Sequence, residues 1–107
     1  ELDPQTINDL SYATQDAIVD VLTKKTTKAA SKYNAKSILL SGGVSANQYL
    51  RARFAFEIGN LKLEIGLFAP PVTLCTDNAA MIAAAGYFNY KPLSWQNITA
   101  DPELYFD

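Results

Sequence analysis

Apolar residues at Ile7, Leu10, Ala17, Ile18, Val21, Leu22, Ala29 and Tyr33 recur with a period near 3.6, which predicts one long helix to about Tyr33. Asp3-Pro4 opens it: an aspartate accepts orphan N–H groups, and proline fits the first helical position. Asp9, Asp16 and Asp20 lie toward its N-terminal end and Lys24, Lys28 and Lys32 toward its C-terminal end, a polarity that suits the helix dipole. Asp20 is spaced to pair with Lys24. The lysine row reads as a solvated face, with the edge of an RNA path as the sharper alternative.

The apolar run Ser37-Ile38-Leu39-Leu40 ends at Gly42-Gly43 and predicts a buried, parallel strand. Ser45 and Gln48 have capping-box spacing, so a second helix is expected from about Ala46 to Ile58, with Leu50, Phe54 and Ile58 on one face and Gly59-Asn60 as its stop. Leu61, Leu63 and Ile65 alternate with Lys62 and Glu64 and predict a strand, interrupted at Gly66, continued by Leu67-Phe68-Ala69 and ended by Pro70-Pro71. Thr76-Asp77-Asn78 is a capping cluster for a third helix, about Asn78 to Tyr90, whose Ala-rich surface predicts burial with close backbone contacts. Pro92 prevents its continuation, and the tail carries Trp95, Tyr105 and Phe106 with little periodicity. The order of elements gives an α/β fold. Two strands alone make a marginal sheet, so the remaining strands are expected elsewhere.

Composition narrows the chemistry. The chain has 107 residues, 49% hydrophobic and 19% charged, which excludes a disordered polymer. A single domain of this size buries only about two thirds of its unfolded surface and gains from a partner or second lobe. No apolar run approaches the ~18 residues of a membrane span. Glu1-Leu2-Asp3-Pro4 lacks the features of a signal peptide, so a cytoplasmic location is expected, and the Asn97-Ile98-Thr99 sequon carries no weight. A net charge of −2 makes the segment a poor candidate for the main nucleic-acid surface. One cysteine and no histidine exclude a disulfide framework, a cysteine-built zinc site, a histidine triad and a multi-histidine metal site within the chain.

Two segments could carry chemistry. Ser41-Gly42-Gly43-Val44-Ser45-Ala46-Asn47 lies between a strand and a helix, where glycines permit close backbone approach and helix N–H groups face an anion. Asn47 is expected in the first helical turn, able to donate and accept. A tight turn without a ligand fits the same spacing, and neither phosphate-loop nor dinucleotide fingerprint is present. In Cys75-Thr76-Asp77-Asn78-Ala79-Ala80-Met81, the carboxylate either caps the helix or binds a metal, with the cap favoured by spacing. Cys75 reads as a small buried apolar residue and Met81 as core.

Taken together, GGVSAN followed by Leu50-Arg51, then Pro-Pro and CTDNAAMIAAAGY, resemble the C-terminal part of the TsaD family. These are the tRNA threonylcarbamoyladenosine synthases, long described as O-sialoglycoprotein endopeptidases. The CTDNAAM form and short tail look bacterial. The resemblance implies an actin/Hsp70-like (ASKHA) architecture, here partial, with helices packed on a small, mostly parallel sheet. It implies transfer of a threonylcarbamoyl group from threonylcarbamoyl-AMP to N6 of the adenosine next to the anticodon. It also implies one iron or zinc ion, held by two histidines of an HxxxH motif and by the aspartate matching Asp77. Asn47 matches the asparagine that contacts the nucleotide, and Gly42 and Gly43 match the turn beside it. A paralogous TsaB-type subunit and a TsaE-type ATPase are the implied partners.

This chain lacks histidine, and in the family the HxxxH motif belongs to an N-terminal lobe. Residues 1–107 are therefore expected to be a C-terminal segment with that lobe absent, inactive and without a defined iron or zinc site by itself. A non-catalytic ASKHA-fold module that docks to a partner subunit is the alternative. A sugar or acetate kinase is a third reading; those share the glycine turn but not TDNAAM. The endopeptidase label has no local support, because neither HExxH nor a nucleophile–base pair is present.

Overall fold

The computed structural model describes residues 2–100 of the chain, so the tail positions Tyr105 and Phe106 lie outside the described residues. The chain divides into two compact units, Glu1–Thr76 and Asp77–Asp107.

In the first unit, α1 spans Pro4–Lys32. Asp3 Oδ1 accepts the N–H groups of Gln5 and Thr6, each at 3.0 Å, as the Asp-Pro signal predicts. The helix stops at Tyr33, where Asn34 takes a left-handed φ of 51° and the Ala35 N–H returns to Ala30 O at 2.9 Å. The apolar period locates the helix but not its buried face. Val19, Thr23, Thr27 and Ala30 are buried, whereas Ile7, Leu10, Ile18, Val21 and Tyr33 are exposed. The two threonines tolerate burial because their hydroxyls donate to Val19 O and Thr23 O, one turn back, at 2.8 Å each.

β1 (Ser37–Leu39) pairs in parallel with β2 (Gly66–Phe68), Ile38 opposite Leu67. A parallel pair needs a crossover, supplied by a short 3₁₀ turn at Gly43–Ala46 and by α2 (Gln48–Asn60). Leu50, Phe54 and Ile58 form the buried face of α2, as their spacing predicts, and join Val19, Ala30 and Ile38 in the core. The strand expected from Leu61 begins only at Gly66. Lys62 adopts φ 49°, its N–H bonds Gly59 O, and the Leu63 N–H bonds Ile58 O at 3.1 Å. These residues therefore close α2 in a Schellman turn rather than joining a ladder.

Polar links hold α1 to α2. Tyr49 donates to Asp16 Oδ1 at 2.6 Å, and Arg53 lies 3.4 Å from Asp20, which also holds Lys24 at 2.9 Å.

In the second unit, α3 spans Ala79–Phe88 and ends at Asn89, followed by a short 3₁₀ turn at Trp95–Asn97. The expected burial of α3 is not found: none of its residues is buried, and Ile82 is 65% exposed. An Ala-rich helix has little polar surface of its own, so it stays apolar and exposed unless another element covers it. Among the described residues, no helix is long and apolar enough to cross a membrane.

Candidate functional site

The turn after β1 brings Gly42, Gly43 and Asn47 together. Gly42 has φ 76° and ψ 172°, a conformation L side chains rarely adopt, so glycine is required for the chain to leave the strand. Ser45 is buried; its backbone N–H and its hydroxyl both bond Gly42 O, at 3.0 and 2.7 Å. Ser45 lies inside the 3₁₀ turn that precedes α2, so the expected Ser45–Gln48 capping box does not start the helix. The cap of α2 is Asn47, whose Oδ1 accepts the Leu50 N–H at 3.0 Å, and the helix begins at Gln48 instead of Ala46. Asn47 thus precedes the first turn that the sequence assigned it to.

The Asn47 amide does donate and accept. Its Nδ2 bonds Gln15 Oε1 on α1 at 2.8 Å, fixing the orientation of the amide. A groove of about 530 Å³ opens beside this pair, with Leu10, Thr14, Ile18, Val44 and Leu50 among its lining residues. Its walls are mainly apolar, with the Gln15 and Asn47 amides as fixed polar points, a combination that suits a small ligand with one polar edge. Close by, the hydrogen bond that the Tyr49 hydroxyl donates to the Asp16 carboxylate, with the Tyr12 hydroxyl adding to it, pushes the Tyr49 phenol up to about 12.

Gln15 and Arg51 were not legible as site residues. Arg51 Nε donates to Ser45 O at 2.6 Å, and its Nη2 donates to Pro70 O at 2.8 Å and to Cys75 Sγ at 3.2 Å. Cys75 is a buried free thiol, as expected for a small core residue. Met81, expected in a core, is 46% exposed.

Asp77 is exposed and begins the second unit. It does not cap α3, contrary to the reading that spacing favours. Asn78 takes that position, with φ −151° and its Oδ1 accepting the Met81 N–H at 3.0 Å. Among the described residues, no group of three His, Cys, Asp or Glu side chains converges. A tight iron or zinc site needs three or four fixed ligands, and Asp77 offers one. The described residues therefore do not fit such a metal by themselves.

Residues 2–84 match the family model for TsaD, tRNA N6-adenosine threonylcarbamoyltransferase. Proteins of that name from Bacillus thuringiensis (strain Al Hakam) and Listeria welshimeri are each 51% identical over 83 residues, 78% of this chain and 24% of the relative. One from Limosilactobacillus reuteri is 42% identical over 101 residues, 92% of this chain and 29% of the relative. The chain thus spans about a quarter of the length of the curated relatives it matches. The match takes in the glycine turn, the Asn47 cap and the CTDNAAM segment. The chain belongs to the TsaD family, the tRNA N6-adenosine threonylcarbamoyltransferases.

Proposed function

We propose that this chain is the C-terminal, nucleotide-side segment of an ASKHA-fold enzyme that transfers a threonylcarbamoyl group from threonylcarbamoyl-AMP to N6 of the adenosine next to the anticodon. In that reaction N6 bonds the carbamoyl carbon, the bond from that carbon to the phosphate oxygen breaks, AMP leaves and N6 loses a proton. The observation that carries the reading is the strand–Gly42-Gly43–α2 turn, which leaves an oriented amide at Asn47 beside an apolar groove. The N-terminal end of α2 favours the phosphate, and Asn47 keeps spare donor and acceptor capacity for a sugar or base edge. Asp77 is the residue we assign to an iron or zinc ion, whose other ligands would come from outside this chain. We assign the protein to the cytoplasm, with tRNA as substrate and TsaB- and TsaE-type proteins as partners.

The exposed apolar surface of α3 favours a second reading, in which the segment only docks to another lobe or subunit. Calorimetry with AMP on the whole protein separates the two. Asn47→Ala should weaken binding by ~1–2 kcal/mol, the range for a lost polar contact. Gln15→Ala removes the partner that orients Asn47 and one of the two amides of the groove but leaves the Asn47 amide in place, so it should cost less. Equal affinity for wild type and Asn47→Ala would leave Asn47 with a structural role alone.

A further inference from the structure

Arg51 lies four residues beyond the Asn47 cap, and its guanidinium reaches points far apart in the chain. Ser45 O belongs to the glycine turn, Pro70 O follows β2, and Cys75 Sγ is the first side chain of the CTDNAAM segment. Among the described residues no carboxylate forms an ion pair with Arg51. Its donors serve two carbonyls and a thiol, so this half-buried cation joins segments rather than neutralising an acid. A guanidinium holds its donors in a rigid plane, and an ammonium cannot span the same points in fixed geometry.

We propose that Arg51 is a positioning residue for the transfer reaction. It fixes the glycine turn, with Gly42, Gly43 and Asn47, against the segment from Pro70 to Cys75, and so holds that turn in its working position without touching substrate. The proposal rests on the nucleotide reading of that turn.

Arg51→Lys in the whole protein tests it by two readouts. The first is alkylation of Cys75, followed by peptide mass, which reports the clamp whether or not the protein transfers anything. Its rate should rise by ~10-fold or more as the segment opens locally. The second is steady-state transfer, in which kcat should fall by ~10-fold or more while KM for threonylcarbamoyl-AMP stays within ~3-fold, the signature of misplaced reacting groups. Unchanged alkylation overturns the clamp. Faster alkylation with unchanged kcat, or with a change in KM alone, overturns the positioning role. A wild-type protein that transfers nothing with its TsaB- and TsaE-type partners present overturns the transferase reading and the role with it, while alkylation still reports the clamp. If Arg51→Lys does not fold, Arg51→Met keeps the apolar stem and removes the donors. Failure of both to fold overturns the role in favour of a purely structural one.

Discussion

Asn47 ties the start of α2 to the middle of α1: its Nδ2 donates to Gln15 Oε1 at 2.8 Å while its Oδ1 holds the Leu50 N–H at 3.0 Å. One amide therefore caps a helix and fixes a long-range contact. Asn47→Ala should destabilise the protein by about 1–2 kcal/mol in urea unfolding, combining a lost cap with a lost hydrogen bond. Asn47→Asp keeps the acceptor for Leu50 but cannot donate to Gln15, so its loss should be smaller. Equal losses for the two variants would show that the Gln15 bond, rather than the cap, carries the stability.

Gly42 and Gly43 should respond differently to a methyl group. A Cβ on Gly42 meets nothing within 4 Å, so its cost is conformational, set by φ 76°. Gly42→Ala should lose about 1–3 kcal/mol, the usual cost of such backbone strain. At Gly43 the nearest atom to a new Cβ is Thr76 Cγ2 at 3.8 Å, an ordinary contact, and φ is not positive. Gly43→Ala should stay within ~0.5 kcal/mol, as substitutions free of such features do. Thermal unfolding of the pair checks the contrast.

Tyr49 links stability to alkaline pH. Its phenol is held protonated by Asp16, with a pKa raised from 10.0 to about 12. A raised pKa means that the folded state binds this proton more tightly than the unfolded chain does. The stabilisation is full below pH 10 and fades as pH rises from 10 to about 12. Wild type should therefore exceed Tyr49→Phe in stability at neutral pH, with the gap narrowing across that window. A gap that is constant or widens with pH contradicts the assignment.

The sequence carried what depends on near neighbours. Asp3-Pro4 marks a helix start because the cap reaches only Gln5 and Thr6, and the Leu50, Phe54, Ile58 spacing marks a core face because α2 turns under it. Both cap errors arose where two polar residues compete. Ser45 has the right spacing to cap α2, yet Asn47 takes that cap, and Asn78 takes the cap position that Asp77 could have filled. The buried face of α1 depends on distant elements: Thr23 and Thr27 are buried while Ile7 and Leu10 of the apolar stripe stay exposed, and periodicity along one helix does not carry that choice. Gln15 and Arg51 stayed hidden because their partners are distant in the chain. The glycine turn was legible as a candidate, since Gly42-Gly43 and Asn47 are close in sequence.

The most direct measurement is the threonylcarbamoyladenosine content of tRNA after incubation of threonylcarbamoyl-AMP with the whole protein and its TsaB- and TsaE-type partners, alongside the Asp77→Ala and Asn78→Ala variants. Wild type should form the modified nucleoside, and Asp77→Ala should form almost none while keeping its unfolding midpoint, because Asp77 does not cap α3. Asn78→Ala, which removes the cap, should lose about 1 kcal/mol of stability. Absence of the modified nucleoside with the wild-type protein, or full formation with Asp77→Ala, would contradict the proposed function.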